Sequence, residues 1–229
     1  MALCFDFDQT LSNKDIYYYK ITPDNIQPIT NILGIDLIDS TNHVIKIYND
    51  YYGLSTIFND YDSLKELFTE LHNNYKLCVT SYGKIDVIEK IISIAFTNIF
   101  DLIITSDNYK ELALFNNIKD IPNRQGRVII SHECPAKYSK NIMYEIIMTR
   151  YNLTADKLIV FDDNLYIISC AITTLGINGI NNPKSGITIE IIIEAMNKYL
   201  KQININSNYN NYYIKYKKYK EKYLELKLS

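Results

Sequence analysis

Ala2-Leu3-Cys4-Phe5-Asp6-Phe7-Asp8-Gln9-Thr10-Leu11 opens the chain with an apolar run that ends in two carboxylates, two positions apart. A run without polar alternation is the pattern of a strand covered on both faces, as central strands of parallel sheets are. The spacing predicts a first strand over 2–5 and a loop that begins where the acids stand. In an open α/β sheet the ligand crevice lies at the carboxyl ends of the strands, near the point where strand order reverses. Asp6 and Asp8 therefore become candidate site residues if the rest of the chain alternates helix and strand.

It does. Leu64, Leu67, Phe68 and Leu71 recur at helical spacing behind the capping residues Asp62 and Ser63. An apolar run at 76–79 follows and stops at Thr80-Ser81-Tyr82-Gly83. A helix is expected around 85–94, a strand at 102–104, a further apolar segment at 128–130, a helix over 140–151, and a strand over 157–161 that closes on Asp162-Asp163. This alternation predicts a Rossmann-like, doubly wound parallel sheet of the α/β class.

Composition narrows the possibilities. The chain has 229 residues, 47% hydrophobic and 22% charged, within the range of globular proteins. Such a length buries roughly 70% of the surface its unfolded form exposes, so a core forms without staples. The apolar runs at 91–96 and 189–193 are strand- or turn-sized, well short of the ~20 residues a membrane helix needs, so no membrane span is expected. Acid stands near the N-terminus where a secretory signal would be basic, which points to a cytoplasmic location. Cys4, Cys78, Cys134 and Cys170 show no C-x-x-C spacing, and three sit in apolar patterns typical of small buried thiols. Neither a disulfide framework nor a zinc site is expected. The net charge of −2 gives no global attraction to nucleic acid.

The strand ends together supply D-x-D-x-T at 6–10, the hydroxyl pair Thr80-Ser81, Lys140 at a helix start, and the acidic pair Asp162-Asp163. In this order they resemble the four motifs of the haloacid dehalogenase superfamily. Lys140 precedes Asp163 by 23 positions, room for one helix, a short loop and a strand. The resemblance covers about residues 2–195 and implies a Mg²⁺-dependent phosphatase working through an aspartyl-phosphate, with a phosphorylated substrate of unknown class.

The implied roles also make chemical sense. A phosphate monoester dianion repels nucleophiles, so its hydrolysis needs a cation, an ionised nucleophile and donors to the phosphoryl oxygens. Asp6 would attack phosphorus, and Asp8 would protonate the leaving oxygen and then activate water. Mg²⁺ would be held by Asp6, the backbone carbonyl of Asp8, and Asp163, with Asp162 behind them or as an alternative ligand. Thr80 and the backbone of Ser81 would donate to the phosphoryl group, and Lys140, with Lys137 as fallback, would neutralise the acids and hold the transferred group. His43, His72 and His132 have no spacing for a metal or a triad and read as structural. No Gly-rich phosphate loop is present, and the acid pair after the last motif strand argues against a two-component receiver domain.

Residues 1–200 are read as the catalytic domain, with 12–59 inserted after the first strand as mixed helix and loop, either a small cap or an open flap. Aromatic clusters at 17–19 and at Tyr48, Tyr51 and Tyr52 read first as packing, so no nucleic-acid substrate is assigned. The remainder, 201–229, is an Asn-rich linker and a helical tail. There Tyr212, Tyr216, Tyr219, Tyr223 and Leu226 form a heptad stripe that would dock on this chain or on a partner. From Lys215 onward six lysines and two glutamates give a basic ending, similar to tails on proteins of giant DNA viruses. Two other readings stand beside the phosphatase: a phosphotransferase with the same machinery, and a non-catalytic binding or virion-associated protein of this fold.

Overall fold

The computed structural model describes residues 1–13, 34–38, 44–47, 57–118 and 139–200. Five parallel strands form the main sheet: β1 (Ala2–Asp6), β4 (Lys76–Ser81), β5 (Leu102–Thr105), β6 (Leu158–Asp162) and β7 (Asn178–Asn181), in the order β5-β4-β1-β6-β7. Between β1 and β4 in the chain lies an antiparallel pair, β2 (Gly34–Ile38) and β3 (Val44–Ile47). The helices are α1 (Tyr61–His72), α2 (Ile85–Ala95), α3 (Tyr109–Phe115), α4 (Asn141–Arg150), α5 (Leu165–Leu175) and α6 (Ile189–Leu200). The doubly wound α/β architecture expected from the alternation is the one observed. The chain divides into two compact units, Met1–Ile189 and Glu190–Ser229. Within the second, the described part is helical, from Glu190 to residue 200.

β1 is buried along its whole length and pairs with β4 on one side and β6 on the other. Side chains alternate between its two faces. One face carries Ala2 and Cys4, which join Cys78, Leu158, Val160, and residues of α3, α4 and α5 in one apolar cluster. The other presents Phe5, stacked on Phe161 with ring centroids 4.8 Å apart and edge-on to Phe68 at 5.2 Å. Phe58, Phe96 and Phe100 continue that aromatic layer. Such edge and offset contacts are the favoured aromatic geometries, each worth about 0.5–1.5 kcal/mol beyond area burial. The first strand is thus the centre of both halves of the core.

Several boundaries and elements differ from the sequence reading. The described part of 12–59 contains a β-hairpin where mixed helix and loop was expected. Its two strands are rich in Ile and Val, residues whose branched Cβ favours the extended backbone. α3, α5 and β7 were not anticipated, and the apolar run at 189–193 opens helix α6. Cys4 and Cys78 are buried free thiols as expected, but Cys170 is disulfide-bonded, its partner lying outside the described residues. The apolar segment at 128–130, Lys137 and the tail stripe from Tyr212 to Leu226 also lie outside them. Among the described residues no helix is long and apolar enough to cross a membrane.

β7 and α5 approach unusually closely. A Cβ on Gly179 would stand 2.8 Å from Ile168 Cγ2 and 2.9 Å from Ile172 Cδ1. Gly179→Ala is expected to cost about 1–3 kcal/mol through overpacking, read as a lowered urea midpoint. Leu114→Ala, at a side chain 67% exposed, should stay within about 0.5 kcal/mol.

Candidate functional site

Strand register brings the polar strand ends to one height. Asp6 lies beside Thr80 in the β1–β4 pairing, and Phe5 beside Phe161 in the β1–β6 pairing, so the next residues, Asp6 and Asp162, are also neighbours. The backbone then leaves β1 through a single π turn, Phe7–Leu11, kinked at Gln9, whose φ of 59° is left-handed. Ser12 closes this turn with its hydroxyl on the Phe7 carbonyl at 3.0 Å. Asp8 leaves the strand direction here. Its carboxylate lies by the turn after β4, where Oδ2 would be 3.6 Å from a Cβ placed on Gly83.

Lys140 is the residue before α4, and its side chain is 2% exposed. Its ammonium pairs with Asp6 Oδ1 and donates to Asp162 Oδ2 at 2.7 Å and to the Thr80 carbonyl at 3.4 Å. Three N–H donors thus have three acceptors. Asp162 is fixed as tightly: its Oδ1 accepts the Asn164 N–H at 2.9 Å, and its carbonyl accepts from Asn182 N at 2.8 Å and Asn181 Nδ2 at 3.2 Å. Asp163 is partly buried, with Lys184 Nζ 4.0 Å from its Oδ2. Thr80 is fully buried, with Oγ1 3.4 Å from the Cys4 sulfur. Ser81 Oγ accepts the Gly83 N–H at 2.9 Å, which shapes the turn.

Of the residues proposed from sequence, Asp6, Thr80, Lys140, Asp162 and Asp163 converge at the carboxyl ends of β1, β4 and β6. Asp8 and Ser81 stand beside them at the β1 and β4 turns. The pairing of Asp162 with Lys140 escaped the sequence reading, which put Asp163 first. Strand parity carried that signal, since Asp162 falls on the same face as Val160 and Cys4, the face that α4 covers. His72 ends α1 beside Asp101, 3.4 Å away, at the opposite end of the strands.

Asp6 and Asp162 flank one buried ammonium, and Asp8 and Asp163 bring two further carboxylates to the same strand ends, with Lys184 near Asp163, so among these described residues carboxylates outnumber cations. Burial pushes the Asp6 carboxyl well above the ordinary carboxylate range; Asp162 and Asp8 add to this against the pull of Lys140. Burial would lower the Lys140 ammonium, but Asp162 and Asp6 outweigh it and hold it protonated well above the usual lysine range. Asp163 is raised by burial and by Asp162. Burial also pushes the Cys4 thiol up to about 12.

Asp6, Asp162 and Asp163 each offer a carboxylate oxygen, all within 4.8 Å of one another. Opposite ligands of an octahedral Mg²⁺ stand about 4.2 Å apart, given bonds of about 2.1 Å. Hard oxygen donors, small separations and unbalanced negative charge fit a divalent cation of this kind.

No family model matches the sequence, and no curated protein matches it. Among solved structures, a HAD-like family hydrolase from Porphyromonas gingivalis is 13% identical with a TM-score of 0.47, covering 85% of this chain and 97% of its own. A HAD family enzyme from Bacteroides thetaiotaomicron in a magnesium complex is 14% identical with a TM-score of 0.46, covering 83% and 97%. A haloacid dehalogenase-like family protein from Streptococcus pneumoniae is 19% identical with a TM-score of 0.41, covering 78% and 82%. Likeness at this level settles neither family nor activity.

Because the folded-state pKa of Asp163 is raised, the metal-free folded state binds more protons than the unfolded one between the ordinary value of 3.8 and the raised value. Stability contributed by this group is therefore present at low pH and falls as pH rises through that window. In chelator, the urea midpoint of Asp163→Asn should fall less than that of the wild type as pH rises from the ordinary value of 3.8 through the raised one. At neutral pH Mg²⁺ should raise the melting temperature of the wild type and have little effect on the variant.

Proposed function

We propose that this chain is a Mg²⁺-dependent phosphohydrolase of the haloacid dehalogenase superfamily, acting on a phosphate monoester through an aspartyl-phosphate. The observation that carries this reading is the buried Lys140 ammonium bridging Asp6 and Asp162, with Asp163 completing a three-carboxylate cluster. A structural lysine seldom goes 98% buried with two acids unless the surroundings demand it, since desolvating three charges is expensive.

Asp6, Asp162 and Asp163 would hold Mg²⁺, which supplies positive charge to the phosphoryl oxygens and lowers the pKa of the acids around it. An Asp6 oxygen attacks phosphorus, forming the Asp6–phosphate bond as the bond to the leaving oxygen breaks. Asp8 gives its proton to that oxygen. The leaving alcohol departs, and Asp8, now ionised, takes a proton from water as the water attacks phosphorus and releases Asp6 with inorganic phosphate. Lys140 orients the nucleophile and supplies charge to the transferred group, and together with the cation it would offset the burial that otherwise keeps the Asp6 carboxyl protonated. Thr80 Oγ1 can accept from the Cys4 thiol, which leaves its own hydrogen for a phosphoryl oxygen.

The purified protein is expected to hydrolyse an aryl phosphate with Mg²⁺ and to lose that activity in chelator. Asp6→Asn should lower kcat by at least about 10³-fold and Asp8→Asn by about 10²–10⁴-fold. Unchanged turnover in Asp6→Asn would remove it as nucleophile. A panel of phosphopeptides, sugar phosphates and phosphorylated oligonucleotides then assigns the substrate class, and no turnover across it would overturn the proposal.

A further inference from the structure

Tyr82 takes no part in the chemistry above, yet it touches Lys140 in two ways. Its ring lies beside the ammonium, with Nζ 5.4 Å from the ring centroid, within the range of a cation–π contact. Its hydroxyl donates to the carbonyl of Ser139 at 2.8 Å, the residue immediately before Lys140. Ser139 is itself fully buried, and its Oγ accepts the Asn141 N–H at 3.1 Å. Tyr82 is held from the other side: its carbonyl accepts the Ser106 hydroxyl at 2.9 Å, and two residues on Lys84 pairs with Asp107 at 3.2 Å. The turns after β4 and β5 are therefore tied to each other, and through Tyr82 to the start of α4.

We propose that Tyr82 is a positioning residue for Lys140, its ring fixing the ammonium and its hydroxyl fixing the backbone from which that side chain springs. The need for such a residue follows from where Lys140 sits. It caps α4 with φ −103° and ψ 12°: its carbonyl accepts from the Met143 and Tyr144 N–H groups, but the peptide before it lies outside the helix, so the helix fixes its backbone from one side only. All three ammonium donors are engaged by acceptors on β1, β4 and β6. An arriving phosphoryl oxygen must replace one of them, and the Thr80 carbonyl, at 3.4 Å, is the weakest. During that exchange the ring contact persists, because a π face takes no N–H donor away from the phosphate.

The kinetic part of the test rests on the phosphohydrolase reading, and the spectroscopic part does not. In wild-type protein the Lys140 ammonium is expected to give a ¹⁵N resonance protected from solvent exchange, assigned by its absence in Lys140→Arg. Tyr82→Leu should speed that exchange at least about tenfold, Tyr82→Phe should change it less, and Tyr82→Trp should restore protection. With each variant fully folded by urea titration, Tyr82→Leu should lower kcat about ten- to thirtyfold with KM within about twofold, and Tyr82→Phe about threefold. An unprotected Lys140 resonance in the wild type, or unchanged exchange in Tyr82→Leu, overturns the proposal, as does a kcat within about twofold of wild type in that variant. A wild type inactive on every phosphate ester overturns the phosphohydrolase reading instead, and the exchange measurement then decides the role of Tyr82 alone.

Discussion

The ion pairs of Lys140 with Asp6 and Asp162 are the constraint around which the first unit of this chain is organised. Burying an ammonium and two carboxylates forfeits hydration that each charge would keep in water, and only close, fully satisfied geometry offsets the loss. The structure meets that condition from three strands at once: β1 supplies Asp6, β6 supplies Asp162 and β4 supplies the Thr80 carbonyl. A register slip of one residue in β1 or β6 would turn its carboxylate to the opposite face. There Phe5, Phe68 and Phe161 fill the space with rings that offer a charge nothing comparable. The aromatic layer on one face and the ionic cluster on the other therefore enforce the same register.

This coupling explains why much was legible in the sequence. Strands that must bury both faces read as apolar runs, so 2–5, 76–79, 102–104 and 157–161 could be placed to within one or two residues. The charges that interrupt those runs could be placed at the strand ends for the same reason. Asp6, Thr80 and Asp162 are each the point where a buried run stops or is about to stop. The 23 residues from Lys140 to Asp163 accommodate α4, a short 3₁₀ turn at Ala155–Lys157 and β6.

What was not legible lacked that apolar signature. β7 is Asn-Gly-Ile-Asn, an edge strand with one large apolar residue, and its place in the sheet comes from pairing with β6 and from the close approach of α5 over Gly179. α5 begins with Leu165 and Tyr166, 60% and 71% exposed, so its apolar content runs beyond the buried stripe and blurs the helical period. The hairpin at β2 and β3 is short and follows residues whose prolines and tyrosines suggest no regular element. Tyr82 could not be found because its partners, Ser139 and Lys140, stand 57 and 58 positions away and share no periodicity with it.

The order of Asp162 and Asp163 shows how far elementary geometry could have gone further. Adjacent acids after a strand look interchangeable in sequence, and the family resemblance favours the second as metal ligand. Strand alternation separates them: Val160 and Asp162 share the face that α4 covers, where Lys140 arrives. Asp163 lies past the end of the strand, where partial exposure leaves its carboxylate available to an ion entering from solvent. Asp162 is thus held by the lysine on one oxygen and by the Asn164 N–H on the other, Asp163 is the more exposed of the two, and Asp6, on β1, pairs with the same ammonium. On the proposed reading, Asp6 would act as a nucleophile already oriented by a fixed ammonium before any substrate arrives, which is the preorganisation that lowers a barrier without reorganising the protein at the moment of reaction.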